Sequence, residues 1–292
     1  MKPAPFRYLA PASVAEAVML LARHGGEAKI LAGGQSLVPM MNLRVARPAV
    51  LVDINRIAPL AGWRREGSLV RIGALTRQSV LTRDAEIAVC APLLTEAARH
   101  IGHIATRARG TIGGSLAHAD PSAELPVCVL ALDATLHVCS QRAARDVAAR
   151  DFFRDLFTTA LGDDELLEAV SIAPPPPGMG TSFEEIARRP GDFAVVAVAC
   201  CLLLDAERRV QDASIALGGV GSRPHRASQA ETLLRGERAG EALWRAAAAQ
   251  ATRAIAPGSD IHASAAYRKD VAAVLVERAL RSAAARARRA MT

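Results

Sequence analysis

Two short segments, LAGGQSL at 31–37 and GTIGGSL at 110–116, constrain this chain more than any other feature of its sequence. Each is Gly-Gly followed closely by Ser and Leu. Glycines let a backbone approach a ligand or adopt positive φ, and short hydroxyl side chains add donors beside the exposed amides. One such segment alone reads more readily as a surface turn before a helix. Two within one half of a chain suggest paired loops closing on the two phosphates of a dinucleotide, since backbone amides hold phosphate without any lysine. Neither segment has the G-x-G-x-x-G spacing of a Rossmann turn, so a fold built on that fingerprint is disfavoured.

A length of 292 residues implies two domains or one extended one. Half the residues are hydrophobic, mostly Ala, Leu and Val, and aromatics at 3% are too few for nucleic-acid stacking platforms. The net charge of +7 comes from scattered arginines, densest in the C-terminal RSAAARARRAMT, which reads as a solvated helical face; no nucleic-acid motif accompanies it. Cys90, Cys128, Cys139, Cys200 and Cys201 form no CxxC pair and no metal-ligand spacing, and most lie in apolar runs. They read as buried thiols in a reducing compartment, and the chain is expected to hold no metal or iron–sulfur cluster of its own. The N-terminus lacks a signal-peptide pattern, and the longest apolar run, FAVVAVACCLLL, is too short to span a bilayer. A cytoplasmic protein without a membrane span is expected.

SVAEAVMLLARHGG carries a capping box, Ser13 with Glu16, and a glycine stop, which predicts a helix. KILAGG, AVLVDI and LVRIGA predict strands and a β-α-β start. Helical patterns follow at Leu93 to His100 and in PSAELPVCVLALD, and ATLHVCS alternates as a strand. Pro174 to Pro177 predict a stiff connector and a boundary between domains at 1–176 and 177–288. Beyond it, SFEEIAR, FAVVAVACCLLLD and VQDASIALGGVG predict a three-stranded antiparallel unit, followed by helices around 226–235, 239–255 and 264–288. The fold class is therefore α+β. Gly218, Gly219 and Gly221 read as a turn, as does Asp120 before Pro121. His103 and His118 read as hydrogen-bonding loop residues.

AGGQSLVPMMNLRVARPAVLVDINRI, RIGALTR, TIGGSLAHADPSAELP, DFFRDLFTTAL and ARRPGDFAVVAV together resemble the FAD-binding medium subunit of molybdenum hydroxylases, the carbon monoxide dehydrogenase and xanthine dehydrogenase family. The resemblance runs over nearly the whole chain. It implies a two-lobed PCMH-type FAD-binding domain followed by a smaller C-terminal domain with a three-stranded sheet and a helical bundle. It implies that the backbone of Lys29, Ile30, Leu31, Ala32, Gly33, Gly34, Gln35, Ser36 and Leu37, with that of Gly110, Thr111, Ile112, Gly113, Gly114 and Ser115, holds the FAD pyrophosphate. The hydroxyls of Ser36, Thr111 and Ser115 would assist. Ile101 and Gly102 would lie near the flavin, Glu124 would accept from the adenosine ribose, and Leu167 would pack on the ring. Arg188, Asp192 and Phe193 match positions beside the isoalloxazine. Leu167 reads equally as core, Asp192 as a turn cap and Arg188 as a surface arginine. Gln35 stands where some flavoproteins of the wider fold carry a histidine for covalent attachment, which implies noncovalent FAD.

One stretch departs from the family pattern. Relatives read HPQIRNRG where this chain reads HIATRARG, so Ile104, Ala105, Thr106 and Ala108 remove two side-chain amides near the flavin. The resemblance further implies a large subunit with the molybdenum cofactor, a small subunit with two [2Fe–2S] clusters, and a dimer of heterotrimers. In such an assembly this chain passes electrons through FAD to an external acceptor and carries no catalytic residue for the hydroxylation itself. Two alternatives stand beside this one: a stand-alone FAD oxidoreductase of the same fold, and an assembly subunit that has lost FAD.

Overall fold

The computed structural model describes residues 2–289; the last three residues of the basic tail lie outside them. The first lobe is a three-stranded parallel sheet of β1 (Arg7–Leu9), β2 (Ala28–Leu31) and β3 (Val50–Asp53), in the order β1-β3-β2. Helix α1 (Val14–His24) starts where the capping box predicts. Ser13 Oγ accepts from the Glu16 amide at 3.2 Å, and the Glu16 carboxylate accepts from the Ala12 amide at 2.8 Å. Its apolar face, Ala17, Val18 and Leu21, packs on Val50 and Val52. The first glycine segment leads from β2 into α2 (Leu37–Asn42).

The second lobe is a five-stranded antiparallel sheet of β4 (Trp63–Glu66), β5 (Leu69–Gly73), β6 (Thr135–Cys139), β7 (Ala144–Ala148) and β10 (Leu166–Ile172), in the order β4-β5-β10-β6-β7. Six helices lie between β5 and β6: α3 (Gln78–Arg83), α4 (Ala85–Cys90), α5 (Pro92–Ala98), α6 (Ile104–Arg109), α7 (Ile112–His118) and α8 (Glu124–Ala131). The second glycine segment opens α7. A short helix α9 (Ala149–Phe152) and a small hairpin, β8 (Phe153–Asp155) with β9 (Thr158–Thr159), complete the lobe.

The C-terminal unit follows the predicted order of strands and then helices. The three predicted strands, β11 (Met179–Ala187), β12 (Ala194–Leu204) and β13 (Val210–Gly218), pair antiparallel, and a two-residue strand β14 (His225–Arg226) joins them. The sequence predicts a helix from about 226. Instead Arg226 pairs with Ala216 on the open edge of β13, and α10 (Ser228–Leu234) begins after it. Helices α10 and α12 (Ala265–Arg289) cover one face of the sheet, and α11 (Glu241–Arg253) packs on both of them.

Strand β12 is buried on both faces and divides its side chains by period two. Val196, Val198, Cys200 and Leu202 join the core under α10–α12, whereas Ala197, Ala199 and Cys201 meet α8 and the second lobe. The C-terminal sheet therefore completes the second lobe's core. Polar ties reinforce the contact: Ser214 Oγ donates to the Ala131 carbonyl, and Arg226 Nη1 donates to the Leu130 carbonyl at 2.7 Å. All five cysteines are free and buried, as their apolar settings predict. Among the described residues no helix is long and apolar enough to cross a membrane.

Candidate anion and cofactor site

The first glycine segment has the character of an anion nest. Gly34 takes φ +72°, and among the described residues the amides of Gly33, Gly34, Gln35 and Ser36 donate to no protein acceptor. Successive undonated amides around a left-handed residue form a pocket of partial positive charge suited to phosphate. Gly33 is buried, and a Cβ there would stand 2.5 Å from the Arg109 carbonyl oxygen and 2.8 Å from Gly110 Cα. Only glycine lets the two segments meet.

A polar strap fixes that meeting. Asp53 Oδ1 accepts from Asn55 Nδ2 at 2.6 Å, and Asn55 Nδ2 also donates to the Ala32 carbonyl at 2.8 Å. Arg77 donates through Nη2 to Asn55 Oδ1 at 2.7 Å and through Nη1 to the Arg109 carbonyl at 2.5 Å. The strap thus holds one carbonyl from each loop. Burial, with Arg109 nearby, lowers the Arg77 pKa, yet a guanidinium stays charged throughout the physiological range. Sequence reasoning did not find these residues. The available signal was a set of polar side chains, Asp53, Asn55 and Arg77, just past the apolar runs of β3 and β5.

The second segment is not an equal nest, which corrects the expectation of two matching amide cradles. The Ile112 amide donates to the Thr76 carbonyl at 3.0 Å, and the Gly113 amide to the Ala74 carbonyl at 2.9 Å. The Gly114 amide goes to Thr111 Oγ1 at 3.0 Å, the Ser115 amide to the Thr111 carbonyl, and the Gly110 amide to the Thr106 carbonyl. These donors bind strand carbonyls and the first turn of α7. Thr111, 2% exposed, is an N-cap, so its hydroxyl oxygen already accepts one bond. Among the described residues the Thr111 amide and the half-buried Ser115 hydroxyl carry no protein partner. Gln78 Oε1, packed against Gly110, is buried without a hydrogen-bond partner among the described residues. Glycines are required here for close packing: a Cβ at Gly113 would collide with Ala74.

From Arg109, α6 leads back to a cleft of about 470 Å³ between residues 99–107 and the turn joining β11 to β12. The atypical HIATRARG stretch is this helix. Arg107 Nη1 donates to the Ile101 carbonyl at 2.7 Å and to the Gly102 carbonyl at 2.9 Å, so the stretch that lost two amides clamps Ile101–Gly102 with a guanidinium. Across the cleft, a Cβ at Gly191 would meet the Gly102 carbonyl at 3.0 Å. The structure therefore brings Ile101–Gly102 and the 188–193 turn together. Arg188, Asp192 and Phe193 are exposed in that turn, Phe193 at 61%, and Arg188 approaches His262 Nδ1 at 3.4 Å. His103 lines the cleft beside Gly191.

Two expected side-chain roles change. Leu167 is 3% exposed within the second lobe's core, so its side chain offers no face to a ring. Glu124 is 4% exposed at the start of α8, and burial, with Glu185 and Asp120 nearby, pushes its pKa up to about 8. It is a buried, mostly protonated acid at neutral pH, not an open carboxylate awaiting ribose hydroxyls. Lys29 is exposed and Ile30 packs on the first lobe's core. Asp120 sets a turn, its carboxylate accepting from the Ser122 amide at 2.9 Å. His118 lies beside Phe157, with ring centroids 5.0 Å apart.

Comparison with known proteins agrees over the full chain. Residues 4–175 match the family described as FAD binding domain in molybdopterin dehydrogenase, and residues 181–283 match the CO dehydrogenase flavoprotein C-terminal domain. The chain is 42% identical over 288 residues to the 6-hydroxypseudooxynicotine dehydrogenase complex subunit alpha of Paenarthrobacter nicotinovorans, covering 99% of this chain and 97% of that one. It is 38% identical to the carbon monoxide dehydrogenase medium chain of Afipia carboxidovorans, covering 99% and 100%. A solved carbon monoxide dehydrogenase structure from Hydrogenophaga pseudoflava superposes with a TM-score of 0.96 at 39% identity, covering 98% and 99%.

Proposed function

The chain belongs to the FAD-binding family of molybdopterin dehydrogenases, and from that membership we propose that it is the electron-transfer subunit of a molybdenum hydroxylase, holding one noncovalent FAD. The observation that carries the cofactor site is the run of free amides from Gly33 to Ser36, pressed by Gly33 onto the backbone of Arg109 and Gly110. These amides would hold the pyrophosphate, flanked by the Thr111 amide and the Ser115 hydroxyl. Ile101–Gly102 and the Arg188–Phe193 turn would border the flavin end. Gln35 has no ring nitrogen to bond covalently to the flavin.

Bound FAD supplies a redox group that takes electrons singly from iron–sulfur clusters and releases them singly or in pairs. The residues of this chain bind and orient it. Arg77 and Asn55 hold the two loops at fixed separation, and Arg107 fixes the backbone at the cleft. Among the described residues no three His, Cys, Asp or Glu side chains gather; in this reading the clusters and the molybdenum lie on the partner chains. The partners in this reading are a large molybdenum-cofactor subunit and a small [2Fe–2S] subunit, assembled as a dimer of heterotrimers. Residues 1–176 bind the cofactor, and residues 177–288 close the cleft. The buried thiols fit a reducing cytoplasmic compartment.

The test is reductive titration of the complex co-expressed with both partners. The flavin absorbance is expected to bleach after the iron–sulfur bands begin to respond and to return on reoxidation. An isolated chain that hydroxylates substrate unaided, or a complex with no flavin absorbance, would overturn the reading.

A further inference from the structure

The cleft holds a group that electron transfer has not used. The Glu185 side chain, 4% exposed, stands in the cleft wall, and its Oε2 is buried with no hydrogen-bond partner among the described residues. Its Oε1 lies 3.7 Å from His100 Nδ1, and the His100 side chain is 40% exposed. A desolvated carboxyl thus has one neighbour that reaches both it and solvent.

The cleft is also within reach of the anion nest. Helix α6 ends at Arg109, whose carbonyl touches Gly33, and begins at Ile104 in the cleft wall. Six helical residues rise about 9 Å. A dinucleotide with its phosphates on Gly33–Ser36 would extend its far end into this cleft; the argument rests on the FAD reading above.

We propose that Glu185 is the proton-exchanging residue of the cleft, a neutral acid that gives its proton to the flavin as electrons arrive and regains one from solvent through His100. Reducing oxidised FAD to its neutral two-electron form takes two electrons, which the partner's clusters deliver, and two protons. For one of these protons, the Glu185 O–H bond breaks as an N–H bond forms on the ring, leaving a carboxylate. A water proton then passes through the His100 imidazole to restore the acid. The second proton comes from solvent directly. On reoxidation the external acceptor takes the electrons, and the protons leave by the same routes.

The surroundings suit this cycle. Burial pushes Glu185 up to about 7, where both protonation states are accessible near neutral pH. Burial lowers the His100 pKa, while Glu96 and Glu184 oppose that shift, so the imidazole is mostly neutral and able to accept and release a proton. From α8, Glu124 and Cys128 face Glu185; both are pushed up by burial and are uncharged at neutral pH. On the rim stand Arg99, His103 and Arg107. Arg107 is already tied to two carbonyls.

The experiment uses the FAD-loaded full chain and Glu185→Gln, which keeps the shape of the neutral acid. Reduction of the wild type is expected to remove a protonated-carboxyl band from the infrared difference spectrum. The flavin potential should change its pH dependence near pH 7. Glu185→Gln is expected to bind one FAD per chain and lose both signatures. His100→Gln should keep the band and slow proton uptake at least about tenfold. A wild type without the band, or a Glu185→Gln variant that retains it, overturns the proposal while leaving FAD binding intact. If the wild-type chain binds no FAD, the cofactor reading falls as well.

Discussion

Gly33 faces a backbone, not a side chain, so nothing flexible can yield to a substituent there. Gly33→Ala is expected to force the first loop from Arg109 and weaken FAD binding at least about tenfold, measured by quenching of flavin fluorescence. Gly34→Ala adds strain at φ +72° and should weaken it in the same direction. Glu124 supplies a pH signature. Its unfolded carboxyl loses its proton near 4.5, whereas the folded one keeps it to about 8. Between those values the native state binds more protons, so stability falls as pH rises. The melting temperature should drop from pH 5 to pH 8, and Glu124→Gln should flatten that slope. The glycine pairs were legible in the sequence because two of them, each followed by Ser and Leu, fall in one half of the chain. The difference between them was not, because the carbonyls that occupy the second set come from Thr76 and Ala74, remote in the chain from Ile112 and Gly113.

Helix α6 carries the stretch that departs from its family's pattern, yet its clamp uses a residue the pattern shares. The four changed positions suggest a loss of side-chain amides; Arg107, unchanged between them, lies across the Ile101 and Gly102 carbonyls. Arg107→Ala is expected to loosen Ile101–Gly102 and raise the FAD dissociation constant several-fold, with little change in melting temperature. A different role belongs to Ser171, His137 and Asp146 on β10, β6 and β7. His137 Nε2 lies 2.7 Å from Ser171 Oγ, and Nδ1 lies 2.7 Å from Asp146 Oδ1. The arrangement resembles a hydrolase triad, but Ser171 is 4% exposed and does not line the cleft. It braces three strands. His137→Ala should lower the melting temperature and leave one FAD bound per chain. The helix and strand runs were legible wherever periodicity was strong, as in α1, β12 and β13. Strand β14 was not, because its two residues owe their conformation to the edge of β13 rather than to any local pattern.

The two halves of the molecule share a core. Ala197, Ala199 and Cys201 on one face of β12 pack with Val127 and Leu125 of α8, so the unit beyond the prolines is no independent appendage. The opposite face is equally tight: a Cβ at Gly180 would collide with the Ala283 carbonyl of α12. Gly180→Ala is expected to cost about 1–3 kcal/mol of stability, visible in a denaturation curve. Composition alone suggests two domains and an aliphatic interior, and the family resemblance extends that to a cofactor and partners. Neither discloses that the cleft carries a dry carboxyl, because β11 contributes Glu185 only after the C-terminal sheet has folded against the second lobe. The most direct test of the whole account is titration of the purified chain with FAD, followed by denaturation to release the ligand. The account requires one FAD per chain, released intact by denaturation, with at least about tenfold weaker binding in Gly33→Ala. FAD that stays covalently attached, or wild-type and Gly33→Ala chains that bind it equally, would contradict it.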